Sequence, residues 1–259
     1  MKKHLSTSQS NFWTWLTSEL SERMAQNLPF IKINPEKILF VGDFHQSTFD
    51  YFQENYPKAQ FWSDSFKSSI YVSIQDFFLR SNKAIHQYQI MDKTDSNEFD
   101  LVWIGPIKRE KNTFHELFLQ LEKCLKNNSL VMFNYLGPDT AREIKSLQTQ
   151  DGYIGPDMHD IGDLLTQSGF ADPVMNMEYI NLEYENTQIL INDLKGLELI
   201  TSSQSISKDF QDKVSNLLSL QPKFQLTLEV VYGHAWRIKK SNAQTIKMYP
   251  KGAFKTNKN

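Results

Sequence analysis

The chain has 259 residues, of which 40% are apolar and 13% aromatic, with one cysteine and a formal net charge of −2. That length holds one large α/β domain with a sizeable core. The lone thiol, Cys124, excludes an internal disulfide or a cysteine-built zinc site, the near-neutral balance excludes a global field for nucleic acid, and no run of eighteen apolar residues is present to cross a bilayer. The N-terminus Met-Lys-Lys-His-Leu lacks the apolar centre of a signal peptide, so a cytoplasmic protein with no membrane or nucleic-acid partner is expected.

In chain order, Phe12, Trp15, Leu16, Leu20, Met24 and Leu28 recur near a helical period and predict a leading helix over Phe12–Leu28. Pro29 and Pro35 separate it from a strand over Ile38–Val41. A helix over Thr48–Tyr56 follows, closed by Pro57, then a short strand over Ala59–Asp64. Ser69–Arg80 reads as a weakly patterned helix and Ala84–Met91 as a third strand. Phe99–Gly105 is a mostly apolar fourth strand, as expected for one covered on both faces. Phe114, Leu117, Phe118, Leu121 and Leu125 mark a helix ending at Asn127-Asn128, and Ser129–Tyr135 a fifth strand. Such alternation specifies a parallel sheet with right-handed crossovers. Asn176–Tyr184 and Leu226–Ile238 are longer strands, expected to pair antiparallel at one edge. The segment of about 185–222 between them, with two helical patterns, is expected to lie over the ligand side as a lid. Residues 1–238 thus read as a single domain and 239–259 as a basic, weakly ordered tail.

The chain is organised around Lys37-Ile-Leu-Phe-Val-Gly-Asp-Phe-His-Gln46, in which a strand runs through a turn into a helix. Such a junction presents free backbone N–H groups and a positive dipole end to a nucleotide or nucleoside. Gly42 is the one glycine of this turn; Phe44 and Gln46 stand where further glycines would let a ligand approach the backbone. Asp64 lies about twenty residues beyond Gly42, the distance at which such folds place an acid on a ribose.

Leu136-Gly-Pro-Asp-Thr140, Asp157-Met-His-Asp-Ile-Gly-Asp163, Ser168-Gly-Phe-Ala-Asp-Pro-Val-Met175 and Leu226-Thr-Leu-Glu-Val-Val-Tyr-Gly-His-Ala-Trp236 together give the chain its resemblance to one family. It resembles the malonyl-acyl-carrier-protein O-methyltransferases of biotin synthesis from about Asn11 to Arg237; Arg23-Met-Ala and Tyr56-Pro-Lys-Ala fit as well. The resemblance implies a Rossmann-like, seven-stranded methyltransferase sheet, mostly parallel with an antiparallel C-terminal edge and a helical lid insertion. It implies S-adenosylmethionine as methyl donor and an acyl carrier protein bearing a malonyl thioester as partner, the methyl passing to the free carboxylate. Gly42, Asp64 and Gly105 are candidate cofactor contacts; Asp92, at the end of the third strand, is a candidate contact to adenine, with a solvated loop acid as its alternative.

Methyl transfer to a carboxylate is an in-line displacement that needs no protein nucleophile, so holding the reactants in line in a dry pocket supplies most of the catalysis. A fork for the acceptor carboxylate is a second need, and Arg142 after the fifth strand is the candidate. Tyr232 and His234 are candidate acyl-pocket residues, with edge-strand packing as their alternative. Asp157, His159, Asp160 and Asp163 have metal-like spacing but read first as a helix-capping arrangement, and no metal is expected. The basic groups Lys108-Arg109-Lys111 and Arg237-Lys239-Lys240 are candidates for steering an acidic carrier protein, or ordinary solvated surface.

The chain also departs from the family. Where the first-strand motif resembles Asp-Leu-Gly-Cys-Gly-Thr-Gly, this chain reads Phe40-Val-Gly-Asp-Phe-His-Gln46; Ile104-Gly-Pro-Ile-Lys-Arg-Glu110 replaces the segment after the fourth strand, and Gly196-Leu-Glu-Leu a Gly-Gly-Asn. Side chains at Phe44 and Gln46 are expected to bring Cβ atoms into the cofactor's path, with strain wherever φ is positive. A catalytically silent relative, acting as a binding or regulatory partner, is the alternative reading.

Overall fold

A computed structural model describes residues 9–64, 85–90, 96–107, 111–147, 155–220 and 223–239. The expected helix over Ser69–Arg80, Asp92, and the tail beyond Lys239 lie outside these residues.

Helix α1 (Gln9–Ala25) forms because Phe12, Leu16, Leu20 and Met24 recur every fourth residue, and all four are buried on one face. It stops three residues short of the expected end. Pro29 instead opens a separate turn, α2 (Leu28–Ile31), where a missing N–H costs nothing, and Lys32 in the left-handed region (φ 53°) closes it. Strand β1 (Lys37–Val41) then enters the sheet with Ile38, Leu39, Phe40 and Val41 all buried.

Helix α3 (Gln46–Asn55) begins at its cap His45, whose ring accepts the Ser47 N–H at 3.2 Å. Strands β2 (Gln60–Ser63) and β3 (Ile85–Gln87) follow, then β4 (Phe99–Ile107), α4 (Lys111–Cys124) and β5 (Leu125–Leu136). Of the boundaries that differ from the sequence reading, which include β3 at Ile85–Gln87 against an expected Ala84–Met91, two have a local cause. β4 continues through Pro106, and its pairing with β5 becomes irregular between Ile104 and Ile107, as a residue without an N–H requires. Asn127-Asn128 do not end a helix; they sit in a bulge early in β5, where Asn128 tolerates φ 60°.

After β5 come a 3₁₀ helix (Arg142–Leu147), α5 (Met158–Gln167) and β6 (Ala171–Tyr184). β6 begins five residues before the expected Asn176 because its bulge, which holds Asp172 (φ 50°) and Pro173, lets an edge strand carry a proline. Helices α6 (Thr187–Gly196), α7 (Ser202–Ile206) and α8 (Lys208–Ser219) intervene before β7 (Phe224–Arg237).

The sheet order is β3-β2-β1-β4-β5-β7-β6. Strands β1 to β5 run parallel, and β7 is antiparallel to both β5 and β6. Alternation along the strands makes two cores. Ile38, Phe40, Leu101, Trp103 and Tyr232 face α1, α3 and the three helices before β7; Leu39, Val41, Val102, Ile104 and Val231 face α4 and α5. Leu190, Ile191, Leu194, Phe210 and Val214 belong to the same cluster as Phe12 and Leu16, so the inserted helices share a core with α1.

On β7, Glu229 is buried beneath the turn after β5, accepting the Asp139 N–H at 2.5 Å. Burial pushes its carboxyl above the usual range, outweighing that hydrogen bond, with Asp139 and Asp157 adding to the rise. A folded-state pKa above the unfolded one means that stability is greatest at acid pH and falls as pH rises through the folded value. Glu229→Gln keeps the acceptor and removes the charge. Thermal melts should show this variant more stable than the parent at pH 7, the gap closing towards pH 4; a variant less stable at pH 7 would contradict the argument.

Candidate functional site

The chain order reverses direction between β1 and β4, since β2 and β3 lie to one side and β5 to the other. In open α/β sheets the crevice beyond the carboxyl ends of strands at such a point is where ligands bind. A cavity of about 230 Å³ lies there, lined by Val41, Gly42 and Asp43 from the β1 turn, and by Ile104, Gly105, Pro106 and Ile107 from β4. Trp13 of α1, Leu117 of α4 and Glu198 after α6 complete the wall.

The β1 turn accounts for the cavity's floor. Gly42 has φ +74°, a conformation that penalises a side chain, and a Cβ built on it meets nothing within 4 Å, so open space lies over the backbone here. Neither Phe44 nor Gln46, the residues expected to obstruct the cofactor, lines this cavity. Phe44 is buried and its ring stacks on Phe40 at 4.8 Å, inside the cluster that includes Phe49, Phe52 and Phe61. Gln46 is the first residue of α3 and its side-chain amide donates to Asp50 Oδ1 at 2.7 Å. Neither residue has a positive φ, so their replacement of glycine stores no left-handed strain. The loss of the leading acid (Phe40) and of the second glycine (Phe44) is therefore one packing event: two rings stack where a polar motif would stand.

Gly105 lines the cavity for a steric reason. A Cβ built on it would overlap the carbonyl oxygen of Asp43, so the end of β4 and the β1 turn are in backbone contact. Asp43 itself is held from the other side: the Trp13 indole N–H donates to its Oδ2 at 3.1 Å. Asp64 follows β2; its N–H donates to the Phe40 carbonyl at 3.0 Å and its Oδ1 accepts the Ile90 N–H at 3.3 Å. Its half-buried carboxylate thus sits at the carboxyl edge of the sheet, one strand from Gly42.

The remaining candidates lie elsewhere. Arg142 does not line the cavity; its guanidinium lies over the Tyr179 ring at 5.1 Å and pairs with Glu143 at 3.5 Å. Tyr232 is buried on the α1 side and donates to Glu178 Oε1 at 2.8 Å, and Arg23 binds the other oxygen of that carboxylate at 2.7 Å. His234 lies opposite Met132 of β5 and Val174 of β6, with burial lowering its pKa. Neither lines the cavity. Asp157 caps α5 by accepting the His159 N–H at 2.8 Å, as its spacing suggested. Among the described residues no three His, Cys, Asp or Glu side chains converge to hold a metal ion. Arg237, a candidate for steering a partner, is only 5% exposed and pairs with Glu122 at 2.9 Å, so it cannot act as a surface charge. Cys124 is buried under the Tyr88 hydroxyl, and burial raises its pKa, which keeps the thiol inert.

Of the lining residues only Gly42 and Gly105 were candidates in the sequence reading, and the three with polar side-chain groups that escaped it are Trp13, Asp43 and Glu198. Each carried a faint signal. Trp13 stands off the apolar stripe of α1, Asp43 adjoins the one glycine of the turn, and Glu198 stands where the family's Gly-Gly-Asn is lost.

The strand order, the antiparallel β7 between β5 and β6, and a cleft at the β1–β4 reversal define a Rossmann-like methyltransferase sheet. The YcgJ protein of Bacillus subtilis has this fold, with a TM-score of 0.56, 11% identity and coverage of 84% of this chain and 99% of that one. Phosphoethanolamine N-methyltransferase 2 of Haemonchus contortus, in complex with S-adenosyl-L-methionine, aligns with a TM-score of 0.53 at 13% identity, over 90% of this chain and 58% of that longer one. No family model matches the chain. A malonyl-[acyl-carrier protein] O-methyltransferase of Gallionella capsiferriformans is 30% identical over 257 residues, covering 90% of this chain and 89% of the relative. That of Legionella pneumophila is 29% identical over 235 residues, covering 85% and 83%. The chain belongs to the malonyl-[acyl-carrier protein] O-methyltransferase family.

Proposed function

We propose that the chain is an S-adenosylmethionine-dependent O-methyltransferase acting on the free carboxylate of a malonyl thioester carried by an acyl carrier protein. The observation that carries this reading is the cleft at the β1–β4 reversal, kept open over Gly42 although two loop glycines are lost. Its volume of about 230 Å³ is below the roughly 300–1,000 Å³ of pockets that enclose a drug-sized ligand. The cavity would hold the amino-acid and sulfonium end of the donor, and Asp64 is the residue that would hold its nucleoside.

When bound, S-adenosylmethionine supplies a methyl group on a positively charged sulfur, which a carboxylate oxygen displaces. The chain's own residues bind and orient. Asp64 would accept from the ribose hydroxyls, Gly42 would leave the backbone accessible, and Asp43 and Glu198 would supply negative charge to the sulfonium end. Val41, Ile104, Ile107 and Leu117 give the cavity an apolar wall that would border the methyl group. No general base is required, because an acceptor carboxylate at neutral pH carries no proton to remove. Arg142 is engaged by Glu143 and Tyr179 and is assigned no part in this step.

Transfer of labelled methyl from the donor to malonyl-acyl carrier protein tests the reading. The parent chain should form the methyl ester, and Asp64→Ala should lower kcat/KM by about 10- to 100-fold, the equivalent of one or two charge-assisted hydrogen bonds. Donor binding with no ester formed would favour a silent relative instead.

A further inference from the structure

We propose that Trp13 is the positioning residue of the donor cleft: its indole N–H fixes the Asp43 carboxylate, and with it the β1 turn, in the conformation that a methyl donor fits. This rests on the donor reading above and gives helix α1 a part in binding that the sheet does not itself supply.

The β1 turn draws its constraints from other parts of the chain. Gly42 at φ +74° lets the backbone turn, and Asp43, Phe44 and His45 after it belong to no helix or strand. The Asp43 carbonyl oxygen lies against Gly105, and the Phe44 ring stacks on Phe40 in the core. The Asp43 side chain is held from α1, where the Trp13 indole N–H donates to its Oδ2 at 3.1 Å. Both partners line the cavity, so this bond is part of the cleft wall.

A second tie from the same helix supports the assignment. The Ser18 and Ser47 hydroxyls share a hydrogen bond at 3.0 Å, and Ser47 Oγ also meets His45 Nδ1 at 2.9 Å. Helix α1 thus meets the segment from Asp43 to Ser47 at both ends, while buried Phe12, Leu16 and Leu20 set its own place on the core. Trp13 suits the task chemically. Its nitrogen can only donate, it ends a rigid flat side chain, and a hydrogen bond to a carboxylate is stronger than one between neutral groups.

The consequence falls on binding rather than on the chemical step. A donor that fits one conformation of the turn binds with an affinity reduced by the fraction of chains in that conformation. The Trp13–Asp43 bond raises this fraction. Without it the Asp43 side chain and its turn sample other arrangements, and part of the binding free energy goes to ordering them. Once the donor is bound, the path from sulfur to the acceptor carboxylate is the same, so KM for the donor rises and kcat is kept.

Calorimetric titration of full-chain variants with S-adenosylmethionine, paired with methyl-transfer kinetics, tests this. Trp13→Phe, which keeps a ring and removes the N–H, should weaken donor binding by ~10-fold. Its KM for the donor should rise by the same factor, with kcat within ~3-fold of the parent. Asp43→Ala removes the same bond from its other end and carries the test should Trp13→Phe not fold. The double variant should bind the donor no more weakly than Asp43→Ala alone, because Trp13 acts through Asp43. A folded Trp13→Phe or Asp43→Ala chain within ~3-fold of the parent's affinity, losses that multiply in the double variant, or a kcat that falls as far as kcat/KM would overturn the inference alone. Failure of the parent to bind the donor would overturn the donor reading and this inference with it.

Discussion

Gly105→Ala is expected to bind the methyl donor at least ~10-fold more weakly than the parent and to unfold at lower temperature. The added Cβ would occupy the place of the Asp43 carbonyl oxygen, so either the β1 turn or the end of β4 must move. Neither can do so cheaply. Asp43 is tied to Trp13, and Ile104 beside Gly105 is buried in the core between the sheet and α4. Overpacking of this kind costs about 1–3 kcal/mol, and because the strain falls on the cleft floor, donor affinity falls with it. Two other glycines set the scale. Gly42→Ala meets no atom within 4 Å but must adopt φ +74°, a penalty of about 1–2 kcal/mol. Gly162→Ala meets only Met175 Cγ at 3.5 Å, an ordinary contact, and should be nearly neutral. Thermal melts and donor titration of the three variants check the order; a Gly105→Ala chain indistinguishable from the parent would show that the turn is not locked to β4.

Phe44→Ala is expected to cost about 3–5 kcal/mol of stability, the range for removing a buried ring, with donor affinity changed by less than ~3-fold in the variant that remains folded. Phe44 is 4% exposed and stacks on Phe40, whose ring in turn meets Phe52 at 5.3 Å and Phe61 at 6.2 Å. Restoring the family's glycine at this position would therefore open a cavity in the core without widening the cleft, which Phe44 does not line. A denaturant midpoint close to the parent's, or a large gain in donor affinity, would place the ring in the ligand's path after all.

The sheet was legible in the sequence because its strands are nearly continuous apolar runs and its helices carry a clean four-residue spacing, as in Phe12, Leu16, Leu20 and Met24. The boundaries were less so. The expected strand ends at Gly105 and Asn176 fell short because Pro106 and Pro173 are carried inside strands, where an irregular register or an edge bulge absorbs a missing N–H. In the cleft, glycine positions could be read from their place after strands, but side-chain direction could not. Whether Phe44 points into the ligand's path or into the core depends on Phe40 and Phe61, which arrive from two different strands. Trp13 and Glu198 reach the cleft from segments 29 residues before and 156 residues after Gly42, and no local spacing announces such convergence. Arg142 and Tyr232 were singled out by residue type, and the partners that occupy them, Glu143 and Glu178, come into view only in the fold.

On the function proposed, this cleft binds the methyl donor although its turn keeps a single glycine. Calorimetric titration of the full chain with S-adenosylmethionine tests it most directly. One binding event per chain, weakened at least ~10-fold by Asp64→Ala, is the result expected. No heat and no thermal shift at millimolar donor, in a chain that melts cooperatively, would contradict it.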